Sequence, residues 1–286
     1  MASVTITPKD VSELRARTSA GMMDCKRALE ETGGDMEKAV ELLRKKGIAK
    51  AEKRSGRSAS QGVVMVEMAS DGRSGAMVEL NCETDFVART EGFQELARAL
   101  VRHVARRAGP GVNAGNLEEQ EFAAGKSVAQ EIKEVSGRVG EVVALRRHAR
   151  FDSRDGVVGH YLHHNGMVGV LVELAGVSGD AGLALARDVA LHISFADPIG
   201  VNPSDVPADL IDRERRIAEE QVAAEGKPEN IRGKIVEGKI RKFVAERTLL
   251  EQPFVRDDKT TVGQVIGKAG KGITVVRFAR FQVGAG

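Results

Sequence analysis

The chain has 286 residues, enough for two or three compact units, and 42% of them are hydrophobic. Its 43 basic and 41 acidic residues leave a net charge of +2, which gives no electrostatic warrant for direct nucleic-acid or lipid binding. With no Trp, one Tyr and aromatics at 3%, the composition also argues against an aromatic platform for stacking bases or sugars.

Cys25 and Cys82 are too few for a disulfide framework and point to free thiols in a reducing compartment. Residues 1–5 lack a charged segment leading into an apolar run, and no stretch reaches the roughly 18 apolar residues of a membrane helix. A soluble, cytoplasmic protein is expected.

Residues 8–47 read as three short helices. Val11 and Leu14 line the first, and Thr18-Ser19-Ala20-Gly21 breaks it. Met22, Cys25, Ala28 and Leu29 recur at spacings of three and four in the second. Gly33-Gly34 stops that helix, Asp35 is placed to cap the third, and Gly47 is expected to end it. Residues 44–57 then form a basic stretch (Arg44, Lys45, Lys46, Lys50, Lys53, Arg54, Arg57 against Glu52), read as a solvated linker with room for a helical part, ahead of the sharper reading as an RNA-binding arm. Residues 1–55 therefore form a small helical docking module.

The remainder contains an internal repeat. Gly62-Val63-Val64 recurs as Gly156-Val157-Val158, and residues 75–80 recur as 169–174 at the same offset. Each copy is two apolar-rich strands around a turn, Ser70-Asp71-Gly72 or His164-Asn165-Gly166, as in a β-hairpin. A helix follows, with Leu96-Ala97-Arg98 matching Leu185-Ala186-Arg187 and His103 matching His192. A closing strand, 147–151, matches 277–281. The fold class is α+β: the N-terminal helices, then two repeated units, each with a three-stranded antiparallel sheet, at 56–152 and 153–204 plus 256–286. Residues 205–255 are a large insertion, patterned as an antiparallel helical hairpin that turns at Gly226-Lys227-Pro228.

The offsets also place about five extra residues of the first unit between its hairpin and its helix, within Asn81–Glu91. What one copy adds at a strand-to-helix junction is a candidate for function. The competing reading is structural: Thr84 or Asp85 caps a helix and Phe86 packs inward.

Other chemistry is weakly signalled. His160, His163 and His164 lie close in sequence without a cysteine, so ordinary strand and turn histidines are favoured over a metal site. Cys25 falls on an apolar helical face, and Cys82 has no evident activating base. The run Gly267-Lys268-Ala269-Gly270-Lys271-Gly272 lacks the Walker spacing and reads as a loop before the last strand. No catalytic constellation converges, so an enzyme ranks below a protein that acts by binding or as a scaffold, and no cofactor is expected.

Residues 18–29 (Thr-Ser-Ala-Gly-Met-Met-Asp-Cys-Lys-Arg-Ala-Leu) closely resemble the N-terminal signature of the elongation factor Ts family. Residues 81–89 (Asn-Cys-Glu-Thr-Asp-Phe-Val-Ala-Arg) resemble its second signature, and Gly226-Lys227-Pro228 and Gln252-Pro253-Phe254-Val255 are further matches. The resemblance spans nearly the whole chain. It implies a ubiquitin-associated-like helical domain, a two-subdomain core and a protruding coiled coil. It further implies a GTPase partner, elongation factor Tu, from which the protein speeds GDP release by binding rather than by chemistry. Asp85 and Phe86, flanked by Thr84 and Val87, would reach the partner's Mg²⁺ and phosphate loop. Met22, Met23 and Asp24 of the first signature, and His160 and His163 near the second turn, would add contacts. Longer members continue beyond the closing strand, so contacts from a C-terminal helical module are not expected here. Oligomeric state stays open, with a homodimer inside a two-plus-two complex as one arrangement.

Overall fold

The computed structural model describes residues 6–18, 20–52, 56–123, 125–226 and 228–285. Ser19, Lys53, Arg54 and Lys227, with the side chains of Lys50 and Glu52, lie outside the described residues.

The N-terminal unit is three helices, α1 (Pro8–Thr18), α2 (Met22–Glu31) and α3 (Met36–Glu52), closed around Leu14, Cys25, Ala28, Leu29 and Ala39. Asp35 caps α3 as its position suggests, its carboxylate accepting from the Lys38 N–H at 3.0 Å. Gly47, however, does not end the helix, which continues to Glu52. Its missing side chain serves a helix crossing instead. A Cβ on Gly137 of α6 (Val128–Val139) would sit 2.6 Å from the Gly47 carbonyl carbon, so the two backbones touch. The first part of the basic linker is therefore helical, as one form of its reading allowed, and it is docked on α6 rather than free in solvent. Arg44 pairs with the nearly buried Glu134 of α6, Lys45 with Glu41 and Lys46 with Glu31.

The first core unit contains β1 (Gln61–Met68), β2 (Ser74–Cys82), α4 (Asp85–Ala88), α5 (Glu91–Arg107), β3 (Gly111–Val112), β4 (Glu121–Ala123), β5 (Lys126–Ser127), α6 and β6 (Val143–Asp152). Its main sheet runs β1-β2-β6-β3, antiparallel throughout. The two-residue β3 adds a fourth edge strand to the three expected. The second unit contains β7 (Gly156–Leu162), β8 (Val168–Ala175), α7 (Gly179–Ala196), α8 (Ala208–Ala224), α9 (Glu229–Arg247), β9 (Pro253–Phe254), β10 (Asp257–Thr261), α10 (Val262–Ala269) and β11 (Thr274–Gln282). Its sheet order β11-β8-β7 mirrors β6-β2-β1.

The duplication reaches further than the sequence comparison found. His103 Nε2 lies 3.0 Å from Gln120 Oε1, and His192 Nε2 lies 2.9 Å from Gln252 Oε1. Phe122 and Phe254 sit beside the respective imidazoles. Capping boxes, Ser127 with Gln130 and Thr261 with Gln264, then open α6 and α10. The glycine-rich run is accordingly not all loop: Gly267–Ala269 complete α10, and the loop begins at Gly270.

The sheets stack through Val64, Met77, Ala149 and Phe151 on one side and Val158, Leu171, Ala279 and Phe281 on the other. The polar ties across this interface come in matched pairs. The Val64 N–H donates to the Gly166 carbonyl at 2.7 Å, and the Val158 N–H to the Gly72 carbonyl at 2.8 Å. Gly72 and Gly166, at φ 66° and 69°, take the left-handed turn conformation that aims those carbonyls across. Glu79 pairs with Arg147 at 2.6 Å and Glu173 with Arg277 at 2.7 Å. Each guanidinium lies over a phenylalanine of the opposite sheet, Arg147 over Phe281 at 4.5 Å and Arg277 over Phe151 at 4.4 Å.

Helices α8 and α9 pack on each other through Ala218, Val222, Val236 and Ile240. Their bases meet where the Ile199 N–H donates to Arg247 O at 2.8 Å and the Leu249 N–H to Gly200 O at 2.9 Å. Leu249 and Phe254, grouped with the insertion by sequence, are buried in the second unit's core. Replacing residues 208–247 with a short Gly/Ser link should leave a cooperatively melting core. Extending the excision through Phe254 should abolish that transition, as calorimetry of the two variants would show.

His192 is held neutral. Its Nδ1 accepts the Val255 N–H at 3.2 Å, so Nε2 carries the proton given to Gln252. Burial lowers its pKa, partly opposed by the Gln252 bond. The folded state thus binds this proton less readily than the unfolded chain. The associated stability is complete above about pH 6.5 and is lost as pH falls below it. His192→Asn should melt lower at pH 7.5 and lose less on acidification to pH 5 than the parent does, measured by thermal melts across that range.

Candidate partner-binding site

Between β2 and α5 the first unit spends eight residues, Glu83–Thr90, where the second spends three, Gly176–Ser178. The extra chain forms α4, a single helical turn. Thr84 is its cap, with Oγ1 accepting from the Val87 N–H at 3.4 Å. One turn cannot hold itself in water, since helix nucleation costs more than one hydrogen bond returns.

External bonds hold it. The Glu141 carboxylate accepts from the Thr84 N–H at 3.0 Å and from its hydroxyl at 2.6 Å. In return, the Glu83 carboxylate accepts from the Val142 N–H at 2.8 Å. The Cys82 thiol donates to Thr84 O at 3.1 Å, and its pKa is pushed up to about 12, mainly by burial and then by the Glu141 charge. Cys82 is therefore a hydrogen-bond donor rather than a nucleophile. At the far end Gln94 Nε2 donates to Ala88 O at 2.6 Å, and Thr90 Oγ1 to Val87 O at 2.8 Å.

On this fixed base Phe86 is 80% exposed, whereas Phe93, seven residues on, is fully buried. The inward-packing reading of Phe86 is thus overturned: α4 turns the side chain away from the core that Val87 and Ala88 join. Asp85 is half-exposed and pairs with Arg89 at 3.0 Å.

An open cleft of about 690 Å³ beside Phe86 is lined by Glu83, Thr84, Asp85 and Arg89, and by Asn165 and Met167 from the second unit's hairpin turn. That turn is rigid: Asn165 Oδ1 accepts from His163 Nδ1 at 2.7 Å and from the Met167 N–H at 2.9 Å. β7 ends at Leu162, so His163 and His164 belong to the turn, with ring centroids 4.2 Å apart, and His164 does not share a strand face with His160. His160 is exposed on β7, on the face shared with Val158. It does not line the cleft. Among the described residues no group of three or more His, Cys, Asp or Glu could hold a metal.

Met22 and Met23 open α2 and are 58% and 65% exposed, while Cys25 on the same helix is buried. Asp24 pairs with Arg27 at 2.6 Å. Asp24 and Gly140 line one groove between the helical module and α6. Gly140 precedes Glu141, so this groove adjoins the turn that binds Thr84 at the base of α4. Sequence reasoning gave no role to Glu83 and Glu141, whose bonds reach partners distant in the chain, or to Asn165 and Met167, which the fold brings to the cleft from the other unit.

A family model described as elongation factor TS matches residues 83–285. A relative named elongation factor Ts in Aquifex aeolicus is 45% identical, with 98% of this chain and 99% of the relative covered. One in Methylococcus capsulatus is 46% identical over 99% of this chain and 94% of the relative. A third, in Prosthecochloris aestuarii, is 42% identical over 98% and 99%. The chain belongs to the elongation factor Ts family. A role in translation elongation follows, and no helix among the described residues is long and apolar enough to cross a membrane. The family match begins at Glu83, so it takes in the clamped loop, the Asn165 turn, the hairpin and the closing strand.

Proposed function

We propose that this protein is a guanine-nucleotide exchange factor that binds elongation factor Tu in the cytoplasm and promotes release of its GDP. It acts by binding and performs no chemical step. The observation that carries the proposal is Phe86: a large apolar side chain, 80% exposed, on a helical turn fixed at both ends by side-chain bonds.

GDP is held on a GTPase largely through Mg²⁺ and backbone N–H groups around the phosphates. A rigid wedge that binds better once those groups have moved lowers nucleotide affinity by its differential binding energy. Linkage makes the effect mutual, so nucleotide rebinding expels the factor. Phe86 is the wedge, with Asp85, Thr84 and Val87 at its base. Met22, Met23 and Asp24 of the helical module, and the His160–His163 region, supply affinity on either side. Pre-organisation supports this reading, because a partner spends no binding energy ordering the loop.

Phe86→Ala should slow GDP release from elongation factor Tu at least about tenfold, while its cost in stability stays under about 1 kcal/mol because the side chain is exposed. Leu96→Ala is the control: Leu96 lies on the buried face of α5 and its truncation should cost about 2–5 kcal/mol. A Phe86→Ala protein that stimulates release at the parental rate would overturn the proposal.

A further inference from the structure

We propose that Glu141 is a positioning residue for the Phe86 wedge, an assignment that rests on the wedge reading above. With 80% of its surface in solvent, Phe86 has no packing to set its direction. That direction must come from the backbone of α4, which is too short to fix itself. Glu141 supplies the side-chain constraint at its N-terminal end, because one carboxylate binds both the N–H and the hydroxyl of the capping residue. Charge-assisted bonds of this kind are short and directional.

Glu141 is itself immobilised. Gly140 ends α6 in the left-handed conformation, with φ 78°. The Ser136 hydroxyl donates to the Glu141 carbonyl at 2.5 Å, and Glu83 holds the next N–H. The two carboxylates thus exchange backbone partners between loops 57 to 59 residues apart. The same α6 carries Gly137, where α3 of the helical module crosses. The element on which the module docks therefore also holds the base of the wedge.

A group that orients the wedge without touching the partner affects the release step more than complex formation. Glu141→Ala should lower the maximal GDP-release rate about tenfold and shift the half-saturating factor concentration less than about threefold. Glu141→Gln keeps an acceptor for the Thr84 N–H and should recover most of that rate. Combined with Phe86→Ala, Glu141→Ala should add nothing, since a wedge already removed cannot be misplaced.

A second readout needs no partner. The chain has no tryptophan, so Phe86→Trp installs a single reporter whose time-resolved anisotropy follows the wedge. Adding Glu141→Ala to that variant should open a fast, wide-angle motion of the indole that Phe86→Trp alone lacks, and adding Glu141→Gln should largely suppress it. Unchanged anisotropy of the introduced indole, or an effect of Glu141→Ala that adds fully to that of Phe86→Ala, would overturn the positioning role. Slow release by Phe86→Ala with parental release by Glu141→Ala would remove Glu141 alone. Parental release by Phe86→Ala would remove the wedge and Glu141 together.

Discussion

The structure depends on a buried charge problem solved twice by the same means. Glu79 is fully buried in the middle of β2, and Glu173 is its counterpart in β8. An isolated carboxylate at such a place costs several kcal/mol. Each is paired with an arginine from the closing strand of its own sheet, Arg147 or Arg277, and each guanidinium then lies on the phenylalanine of the other sheet. Neither unit can complete this arrangement alone. The arginine that neutralises one unit's glutamate is covered by the other's ring, and the valine amides and turn carbonyls cross the interface with the same reciprocity. Two copies of one chain segment thus meet as a two-fold dimer would, although they are covalently joined.

A framework specified by symmetry leaves the departures from symmetry free for other work. The first unit departs at the β2–α5 junction, where extra residues build α4 and expose Phe86. The second departs between Val201 and Leu249, where α8 and α9 project from a closed base. Because the sheets are locked by paired bonds, the cleft between the α4 loop and the Asn165 turn has walls from both units and a fixed width. The two-fold scaffold thereby becomes a one-sided instrument.

Much of this was legible in the chain. The hairpins, the helix after each, the closing strands and the length excess all followed from offsets between matching residues, because duplicated scaffolds keep buried positions in register. What escaped had different causes. Gly47 looks like a helix stop, yet here its absent side chain admits Gly137, a partner ninety residues away that no local pattern reveals. The second helix of each unit was overlooked because its signals, a His–Gln pair and a capping box, are short and are separated by the hairpin insertion in one copy. Phe86 could be placed in the added loop but was wrongly oriented by local pattern, since a capped helix start favours an inward ring and only its 80% exposure shows the outward one. Glu141 carried no signal at all, because its role consists of bonds to a residue 57 positions earlier.

The central claim is that the two sheets form one cooperative block on which the wedge is mounted. Native-state amide hydrogen exchange tests it most directly. The Val64 and Val158 N–H groups, which cross the interface, should exchange with the same free energy as the central amides of β2 and β8, all equal to that of global unfolding. Exchange of one sheet's amides and of the crossing pair at markedly lower free energy than the other sheet's would contradict it, for the units would then open separately.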